Sequence, residues 1–497
     1  MSNPQAMPSV GPITPARVRG SAEPRGAFAC GGAARIGPVL LLPLLLSGCL
    51  WQTYQAKPLQ PAVTAERLTT RSLTDPGLRK FLQTHEVNIS SWPLQRWDLR
   101  ELSAAALYFN PQLAEALATV GEARAAEITA AARPNPNVDL RSEHHSDTAG
   151  GRTPWSLGAA LGWIFEPAQK REARLEYARA RTQAARAAVT EKAWTVVSAV
   201  RDRCLDYADA VARREALHRQ AALVNEAAVM LARRAELGQT SDFEVSTMRL
   251  EADRIALARS AAEARIDMAR TAIASAMGLP ASALADVDLD LGRPGQLPAA
   301  TRISASGLQR AALTRRADIL RSLEQYAVSE AALKQQIARQ YPDITLSPGY
   351  LFDQADNVWS LGATALLPLL DRNQGPIAEA RAQRDLAARR FESLQAQVLS
   401  ELQNARAAYL AALKSIQSAE NLQKRLQVQE GVIRRQVEAG ETDRLALLRA
   451  ELETQAARVA AQDIYAEAWR ALARLEDATQ SSLSGGALPM FDPEPDS

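Results

Sequence analysis

The pattern of apolar and polar residues occurs twice along the chain, about 200 residues apart. The pentapeptide Trp-Ser-Leu-Gly-Ala at 155–159 returns unchanged at 359–363, an offset of 204 residues. In both copies every second residue is apolar or aromatic, and the residues between are mostly small or polar. This period of two predicts a β-strand with one apolar face. Lipid-facing barrel strands and sandwich strands share this pattern, so the strand alone leaves both open.

A further strand precedes each copy. Pro136 and Pro342 end helical patterns, and the alternation after them predicts strands over about 138–145 and 344–353. The two copies of the pentapeptide open strands over about 155–166 and 359–369. Each repeat thus contains one β-hairpin. The apolar face of these hairpins carries six residues that we predict to face lipid or the membrane interface: Trp155, Leu157, Trp163, Tyr350, Trp359 and Leu361.

A very long helical pattern follows each hairpin. No helix breaker occurs between Pro167 and Gly238 or between Pro376 and Gly440. These stretches predict helices of roughly 100 Å at about 1.5 Å per residue. Apolar residues within them recur at alternating spacings of four and three, which is typical of a coiled-coil seam. Both helices end in Glu-x-Gly-x-Thr, at 236–240 and 438–442, where the glycine is expected to cap the helix before a returning helix begins.

The charges and motifs argue against several classes of function. The 58 basic and 56 acidic residues give a formal charge of +2 without a sustained basic block, so nucleic-acid binding is not indicated. Phosphate loops, zinc-type Cys/His spacings and nucleophile elbows are absent from the sequence, so we predict no enzyme activity and no cofactor. His144 and His145 are adjacent in a strand and would point to opposite faces, so no metal site is predicted there.

The N-terminal region predicts export and a lipid anchor. An apolar run at 36–46 is too short to cross a bilayer and suits a signal peptide. It ends in Leu-Ser-Gly-Cys, which resembles a bacterial lipobox, and this resemblance implies cleavage before Cys49 and acylation of that cysteine. The chain would then be a lipoprotein without an intrachain disulfide.

These features divide the chain into six segments. We predict a lipoprotein signal peptide at 1–48, a lipidated extended arm at 49–97, a first repeat at 98–278, a linker at 279–303, a second repeat at 304–476 and a disordered tail at 477–497. The fold class is mainly α with a small β part, built from two tandem repeats of helix, strand, strand, long helix, turn and helix. Four strands cannot close a barrel, and open edges are not tolerated in lipid, so several chains must share one barrel.

Together these repeats, Gly-turns and lipobox resemble the TolC-like outer-membrane efflux proteins over about residues 98–476. Residues 369–375, Leu-Leu-Asp-Arg-Asn-Gln-Gly, and Gln-Lys-Arg at 169–171 resemble the CzcC-like branch, which serves heavy-metal exporters. The resemblance implies a homotrimer with a twelve-stranded outer-membrane barrel that continues as a periplasmic α-helical barrel. It also implies two partners, a periplasmic adaptor and an inner-membrane pump of the resistance-nodulation-division type.

The resemblance further implies roles for the turns between the long helices. It assigns adaptor docking to four turn residues: Gly238, Thr240, Gly440 and Thr442. An acidic pore constriction is expected at Glu244 and Asp443. Six positions after the second glycine, where an acid is expected, the chain carries Ala446, and Arg449 follows three positions later, so the second repeat lacks part of this acidic ring.

The function predicted from the sequence is passive transport. We expect the exit duct of a tripartite efflux system in the outer membrane, lipid-anchored and extending into the periplasm, with heavy-metal cations as substrates. Drugs or secreted polypeptides are alternative substrates for the same duct. A periplasmic adaptor or a structural coiled-coil lipoprotein is the alternative outside this class, but neither would need two repeats of amphipathic strands.

Overall fold

The structure is a computed structural model that describes residues 52–85, 91–146, 153–291 and 297–483. The chain divides into two units, Met1–Gln60 and Pro61–Ser497. In the first unit the described residues, 52–60, have no regular secondary structure. The predicted signal peptide at 1–48 and the lipidation site Cys49 lie outside the described residues.

The described part of the second unit is mostly helical. Its α-helices are α1 (Pro61–Thr69), α2 (Pro76–Thr84), α3 (Leu99–Phe109), α4 (Pro111–Ala131), α5 (Lys170–Glu236), α6 (Asp242–Met277), α7 (Ala305–Arg315), α8 (Ala317–Ala338), α9 (Gln374–Glu438) and α10 (Arg444–Thr479). Its strands are β1 (Arg96–Trp97), β2 (Asn137–His144), β3 (Trp155–Phe165), β4 (Asp288–Leu289), β5 (Ile344–Asp353) and β6 (Asp356–Ala365).

The two hairpins join into one antiparallel sheet with the order β2-β3-β5-β6. The central pair, β3 and β5, belongs to different repeats, and Trp163 of the first repeat lies opposite Leu346 of the second. Both outer strands, β2 and β6, therefore have one edge without a partner strand in the described chain. An edge of this kind presents unpaired N–H and C=O groups that need another strand or solvent.

The second hairpin is tighter than the sequence indicated. We expected a turn-rich segment before a strand over 359–369, but β6 begins at Asp356 and ends at Ala365. Gln354 and Ala355 both have positive φ, 47° and 77°, which allows a two-residue turn and extends the pairing to Asp353 and Asp356. The strand ends early because its partner β5 begins at Ile344, which pairs with Ala365.

Two very long helices, α5 with 67 residues and α9 with 65, form the body of the molecule. At about 1.5 Å per residue each is about 100 Å long. Neither begins at the proline that the sequence suggested. The helix α5 begins at Lys170, after Ala168 and Gln169 with positive φ, and α9 begins at Gln374, after the left-handed Asn373.

The helices pack side by side in an order that matches the sheet. Near the sheet, α5 lies between α4 and α8, and α8 contacts α9. Toward the helical turns, α5 lies between α6 and α10, and α10 contacts α9. The order is thus α4-α5-α8-α9 at one level and α6-α5-α10-α9 at the other. In the described chain α9 has no substantial contact with α4 or α6, so the two sides of the layer remain open.

Part of the predicted extended arm is folded onto the first repeat. Leu78 and Leu82 of α2 and Trp97 of β1 are buried in one apolar cluster with residues of α3, α5 and α6. The guanidinium of Arg71 donates to the carbonyl oxygens of Phe109 (2.8 Å) and Gly278 (3.1 Å). The reason is that α2 is amphipathic, so its apolar side needs a surface to cover it.

The predicted linker and tail are also partly structured. Residues 279–303 contain a 3-10 turn, Ala281–Leu284, and β4, which pairs in parallel with β1. Leu284 of this linker is fully buried in the first-repeat cluster. The last helix continues to Thr479 rather than ending at 476, because Asp477 accepts hydrogen bonds from Trp194 and Ser198 of α5. Residues 484–497 of the predicted tail lie outside the described ranges.

Over the described ranges, no helix combines the length and apolar character that a membrane crossing would require.

Candidate channel wall and hairpin tips

One face of the sheet is apolar and open to the surroundings. All six predicted lipid-facing residues lie on it, since Trp155, Leu157 and Trp163 alternate along β3, and Tyr350 pairs with Trp359 across β5 and β6. Large side chains are exposed here: Trp155 is 52% and Trp359 80% exposed. The exposed apolar residues form one continuous surface across all four strands, whereas single exposed apolar residues scattered over a surface are ordinary in proteins.

The two tryptophans of β3 give the length of this face. Trp155 and Trp163 are eight residues apart on one strand, or about 27 Å at about 3.4 Å per residue. With a strand tilt of about 40°, this corresponds to about 20 Å of depth, close to the apolar band of about 25 Å in outer-membrane barrels. Tyr350 and Trp359 lie midway between these two positions, because Tyr350 pairs with Ala159. They contact each other with ring centroids 4.9 Å apart.

The opposite face of the sheet carries mostly small and polar residues, with Ile164, Leu351 and Val358 among them. His145 Nε2 lies 2.9 Å from Ser156 Oγ, which also donates to Asp353 Oδ1, at the end of the sheet farthest from the helices. A nucleophilic triad would require the carboxylate to bind the other imidazole nitrogen of His145. Here the carboxylate lies 3.6 Å from the same Nε2 and binds the serine itself, so this arrangement joins β3 to β5 rather than activating Ser156.

The two adjacent histidines do point to opposite faces. His144 packs edge-on against Trp155 on the apolar side, with ring centroids 4.7 Å apart, whereas His145 lies on the polar side. Across the described residues, no group of three or more His, Cys, Asp or Glu side chains is placed to hold a metal ion.

The turns at the far ends of the long helices have the same geometry. Gly238 and Gly440 have φ of 69° and 73°, and each ends its helix in a left-handed conformation. The next residue donates back to the last turn of the helix, from Gln239 N to Arg234 O and from Glu441 N to Gln436 O, both 2.8 Å. This is the Schellman pattern that glycine favours. A Cβ at either glycine would meet no atom within 4 Å, so backbone conformation selects glycine here.

The returning helices are capped by the residues after these turns. Ser241 Oγ accepts from Glu244 N (3.3 Å), and Asp443 Oδ1 accepts from Ala446 N (2.8 Å). Thr240 does not cap the helix, and its hydroxyl donates to the Glu244 carboxylate instead. The predicted constriction residues Glu244 and Asp443 therefore both contribute to the turn structure.

Ion pairs join the two turns to each other. Arg234 of α5 contacts Asp443 of the second turn at 2.8 Å, and Arg444 contacts Glu226 of α5 at 2.9 Å. The hydrogen bond from Ala446 N and the neighbouring Arg234 guanidinium lower the pKa of Asp443 below its ordinary value. Glu244 lies 3.9 Å from Arg449, the residue that stands in the second repeat near the expected acid. Both predicted constriction carboxylates are thus paired with arginines within the chain.

Equivalent apolar residues at the two tips differ in burial, and the sequence pattern does not indicate this difference. Leu445 is only 6% exposed and packs with Leu231 and Val245 in a cluster that joins the tips. At an offset of 202 the corresponding first-repeat residue is Phe243, which is 77% exposed, and nearby Leu237 is 71% exposed. The first tip therefore presents apolar side chains to the surroundings, whereas the second uses its own to bind the first. Phe243 and Leu445 lie at the same distance after their glycines, so the sequence predicts the same role for both and does not indicate which one is buried.

Taken together, the two-sided sheet and the helical hairpins of about 100 Å have the fold of outer-membrane channel proteins. The outer-membrane channel OprN is 21% identical, with a TM-score of 0.61, over 87% of this chain and 98% of that one. The outer membrane protein VceC of Vibrio cholerae is 20% identical, with a TM-score of 0.61, over 77% and 96%. CusC is 18% identical, with a TM-score of 0.60, over 80% and 96%. At these identities the likeness is one of fold.

Sequence comparison finds no matching protein-family profile and no matching curated protein.

Proposed function

We propose that three copies of this chain form an outer-membrane exit duct of a tripartite efflux system. The observation that carries this proposal is the four-stranded sheet, which has an exposed apolar face, a mostly polar opposite face and two edges without a partner strand among the described residues. Open strand edges are not tolerated in lipid, so the sheet needs further strands to close. Three copies would supply twelve strands, enough to enclose a pore, whereas eight strands leave an interior filled by side chains.

The order of the elements supports closure by identical copies. At every level one side of the layer belongs to the first repeat (α4, β2 and α6) and the other to the second (α9 and β6). Joining the second-repeat side of one copy to the first-repeat side of the next is a head-to-tail contact, which generates a ring when the rotation closes. Strands and helices would close together, because their lateral order is the same.

Exposed apolar residues follow both open sides below the sheet. On α6, Leu250 and Leu257 are exposed seven residues apart, as in a coiled-coil seam. Exposed Val428 and Val432 lie on α9, the helix that would face α6 of the next copy. A helical tunnel closed in this way would continue the barrel and extend away from the membrane by about 100 Å.

The remaining parts of the proposal concern the partners and the cargo. We assign docking of a periplasmic adaptor to the turns around Gly238 and Gly440, with an inner-membrane pump supplying the energy. Heavy-metal cations are the proposed substrates, with drugs or secreted polypeptides as the alternatives. Glu244 and Asp443 are retained as candidate constriction residues, although their arginine partners reduce the negative charge they would present.

Migration of the protein in gels tests the duct itself. Outer-membrane fractions run without heating should show a heat-labile trimer that converts to a monomer after boiling. A protein found only in the inner membrane, or one that never forms an oligomer, would contradict the proposal. A deletion strain challenged with zinc, cobalt, cadmium, copper and drugs then identifies the substrate class.

Substitution of Gly440 tests adaptor docking separately. Gly440→Val should abolish export while the protein still inserts and forms the trimer, because a β-branched residue does not adopt the left-handed conformation of this turn. Gly440→Asn is the matched control and should retain export, since asparagine tolerates that conformation. Normal export by the valine variant would remove the turn from the docking surface.

A further inference from the structure

The base of the second hairpin exposes a run of leucines that the duct does not explain. Where β6 passes into α9, four side chains are more than 70% exposed: Leu366, Leu367, Leu369 and Leu370. We refer to these four residues as the leucine rim. The rim directly continues the apolar face of the sheet toward the helices, so it would lie at the edge of the membrane.

Two arginines lie beside the leucine rim. Arg372 and Arg381 line an open cleft of about 500 Å³, together with Leu369, Leu370 and Ile377. Arg372 Nε donates to the carbonyl oxygen of Pro368 at 3.4 Å. Within the described residues neither guanidinium has a carboxylate within ion-pair distance. The cleft thus combines an apolar wall with two positive charges that no described carboxylate neutralises.

The corresponding base of the first hairpin is built differently. There the Glu166 carboxylate forms an ion pair with Arg174, and Lys170 Nζ lies 2.7 Å from Asp343. At the offset of 204 the position of Glu166 is occupied by Leu370, which is 96% exposed. The first base therefore neutralises its own cations, whereas the second replaces the carboxylate with an exposed leucine.

A neighbouring copy would not neutralise the two arginines either. In the head-to-tail ring of the proposed function, the next copy approaches this base with the end of α4 and the start of β2. That segment contains Glu127, Arg133 and Asp139. The Glu127 carboxylate accepts a hydrogen bond from Thr182 within the chain, and Asp139 lies on the polar face of the sheet, between Val138 and Leu140 of the apolar face. Closure would therefore bring a third positive charge, Arg133, toward the cleft, whereas the two carboxylates of this segment are directed elsewhere.

From these observations we propose that the leucine rim and cleft bind an anionic phospholipid in the membrane leaflet nearer the helices. This inference rests on the proposed function. The lipid phosphate accepts hydrogen bonds from Arg372 and Arg381, and guanidinium groups bind phosphate oxygens in pairs. The acyl chains cover the leucine rim, which removes its apolar surface from water. In a closed trimer the site occurs once per chain.

The test measures lipid binding to the purified full-length oligomer in detergent. Native mass spectrometry with increasing phosphatidylglycerol or phosphatidylcholine gives the affinity for each lipid. We expect phosphatidylglycerol to bind at one site per chain and more tightly than phosphatidylcholine. Basic residues near anionic lipid contribute about 1 kcal/mol each, or about fivefold, so Arg372→Gln with Arg381→Gln should weaken phosphatidylglycerol about 25-fold. Phosphatidylcholine has the same phosphate, but its choline cancels the net charge, so its binding should be weakened much less in this variant.

Arg390→Gln is the matched control, because Arg390 is exposed on the same helix about 14 Å farther along at about 1.5 Å per residue. It should bind phosphatidylglycerol like the wild type, and an equal loss would overturn the proposal. Leu369→Ser with Leu370→Ser should weaken both lipids and leave the oligomer intact. Dissociation of that variant into monomers would show that a second copy covers the rim. Displacement of the lipid by equimolar inorganic phosphate would show a plain anion site. Either result overturns the lipid proposal.

Conductance in planar bilayers separates this inference from the proposed function. Wild-type protein and all the arginine variants should form open channels, since the cleft lies outside the channel wall. Conducting channels without preference for phosphatidylglycerol would reject the lipid site alone. Failure of the wild type to conduct would count against the duct, whatever lipid it binds.

Discussion

Arg201 provides a sharp test of how the two repeats are joined. This residue of α5 is 4% exposed, and its guanidinium reaches α10, where it contacts Asp477 at 2.6 Å and Glu476 at 3.5 Å. It also donates to Ser198 at 3.0 Å. Glu476 is itself buried, so Arg201 places a positive charge beside a carboxylate that has little access to water. We predict that Arg201→Ala strongly destabilises the protein.

The size of the effect follows from burial. Removing one partner of a buried pair costs about 3–5 kcal/mol, because a charge is left without compensation. We expect a loss of unfolding free energy at the lower end of this range, because the Glu476 carboxylate keeps a hydrogen bond from Leu483 N at 2.8 Å after Arg201 is removed. Arg203 is the matched control on the same helix, with Asp206 at 3.3 Å but with both side chains exposed. Exposed helix pairs three or four residues apart contribute about 0.2–0.5 kcal/mol.

Urea unfolding followed by circular dichroism at the helical signal measures both variants in the same detergent. We expect Arg201→Ala to lose several times more unfolding free energy than Arg203→Ala. Adding Glu476→Gln to Arg201→Ala should recover part of the loss, because the uncompensated charge is then removed. Equal losses for the two arginine variants, or no recovery in the double variant, would refute the argument.

Three further predictions concern single side chains. Burial raises the pKa of the Cys204 thiol to about 12, so maleimide at pH 7–8 should leave the Cys204 peptide unlabelled until the protein is denatured; labelling in the native state would contradict its burial. The pKa of Asp443 is lowered in the folded protein. Its contribution to the stability of the tips is therefore fully present above the ordinary pKa of about 3.9, and it is lost as the pH falls through the lower pKa of the folded state. Hydrogen-exchange protection factors at the tips, which are corrected for the pH dependence of intrinsic amide exchange, should therefore stay constant from about pH 7 to 5 and decrease below about pH 4. A loss of protection already at pH 6 would argue against the Arg234 contact. Phe243→Ser should weaken adaptor capture without changing stability, whereas Leu445→Ser should destabilise the tips by about 2–4 kcal/mol; equal stability losses would contradict their different burial.

Elements that depend on local pattern were predictable. The strand faces followed from the period of two, as Trp155 and Ser156 lie on opposite sides of the sheet. Gly238 and Gly440 followed from the need for positive φ after a long helix. Element ends were less accurate, since the end of β6 depends on where β5 begins, which the residues of β6 do not encode.

The sequence by itself determined the repeat, the two-sided strands, the long helices and the glycine turns, because each depends on residues within one or two helical turns or strand steps. Only the tertiary structure decided which elements meet across about 200 residues. It buried Leu445 while leaving Phe243 exposed. It also paired Arg174 and Lys170 at the base of the first hairpin with carboxylates, but among the described residues it gave Arg372 at the base of the second hairpin none. The two copies have matching local sequences, but each lies beside different neighbours, so burial and charge pairing at equivalent positions diverge.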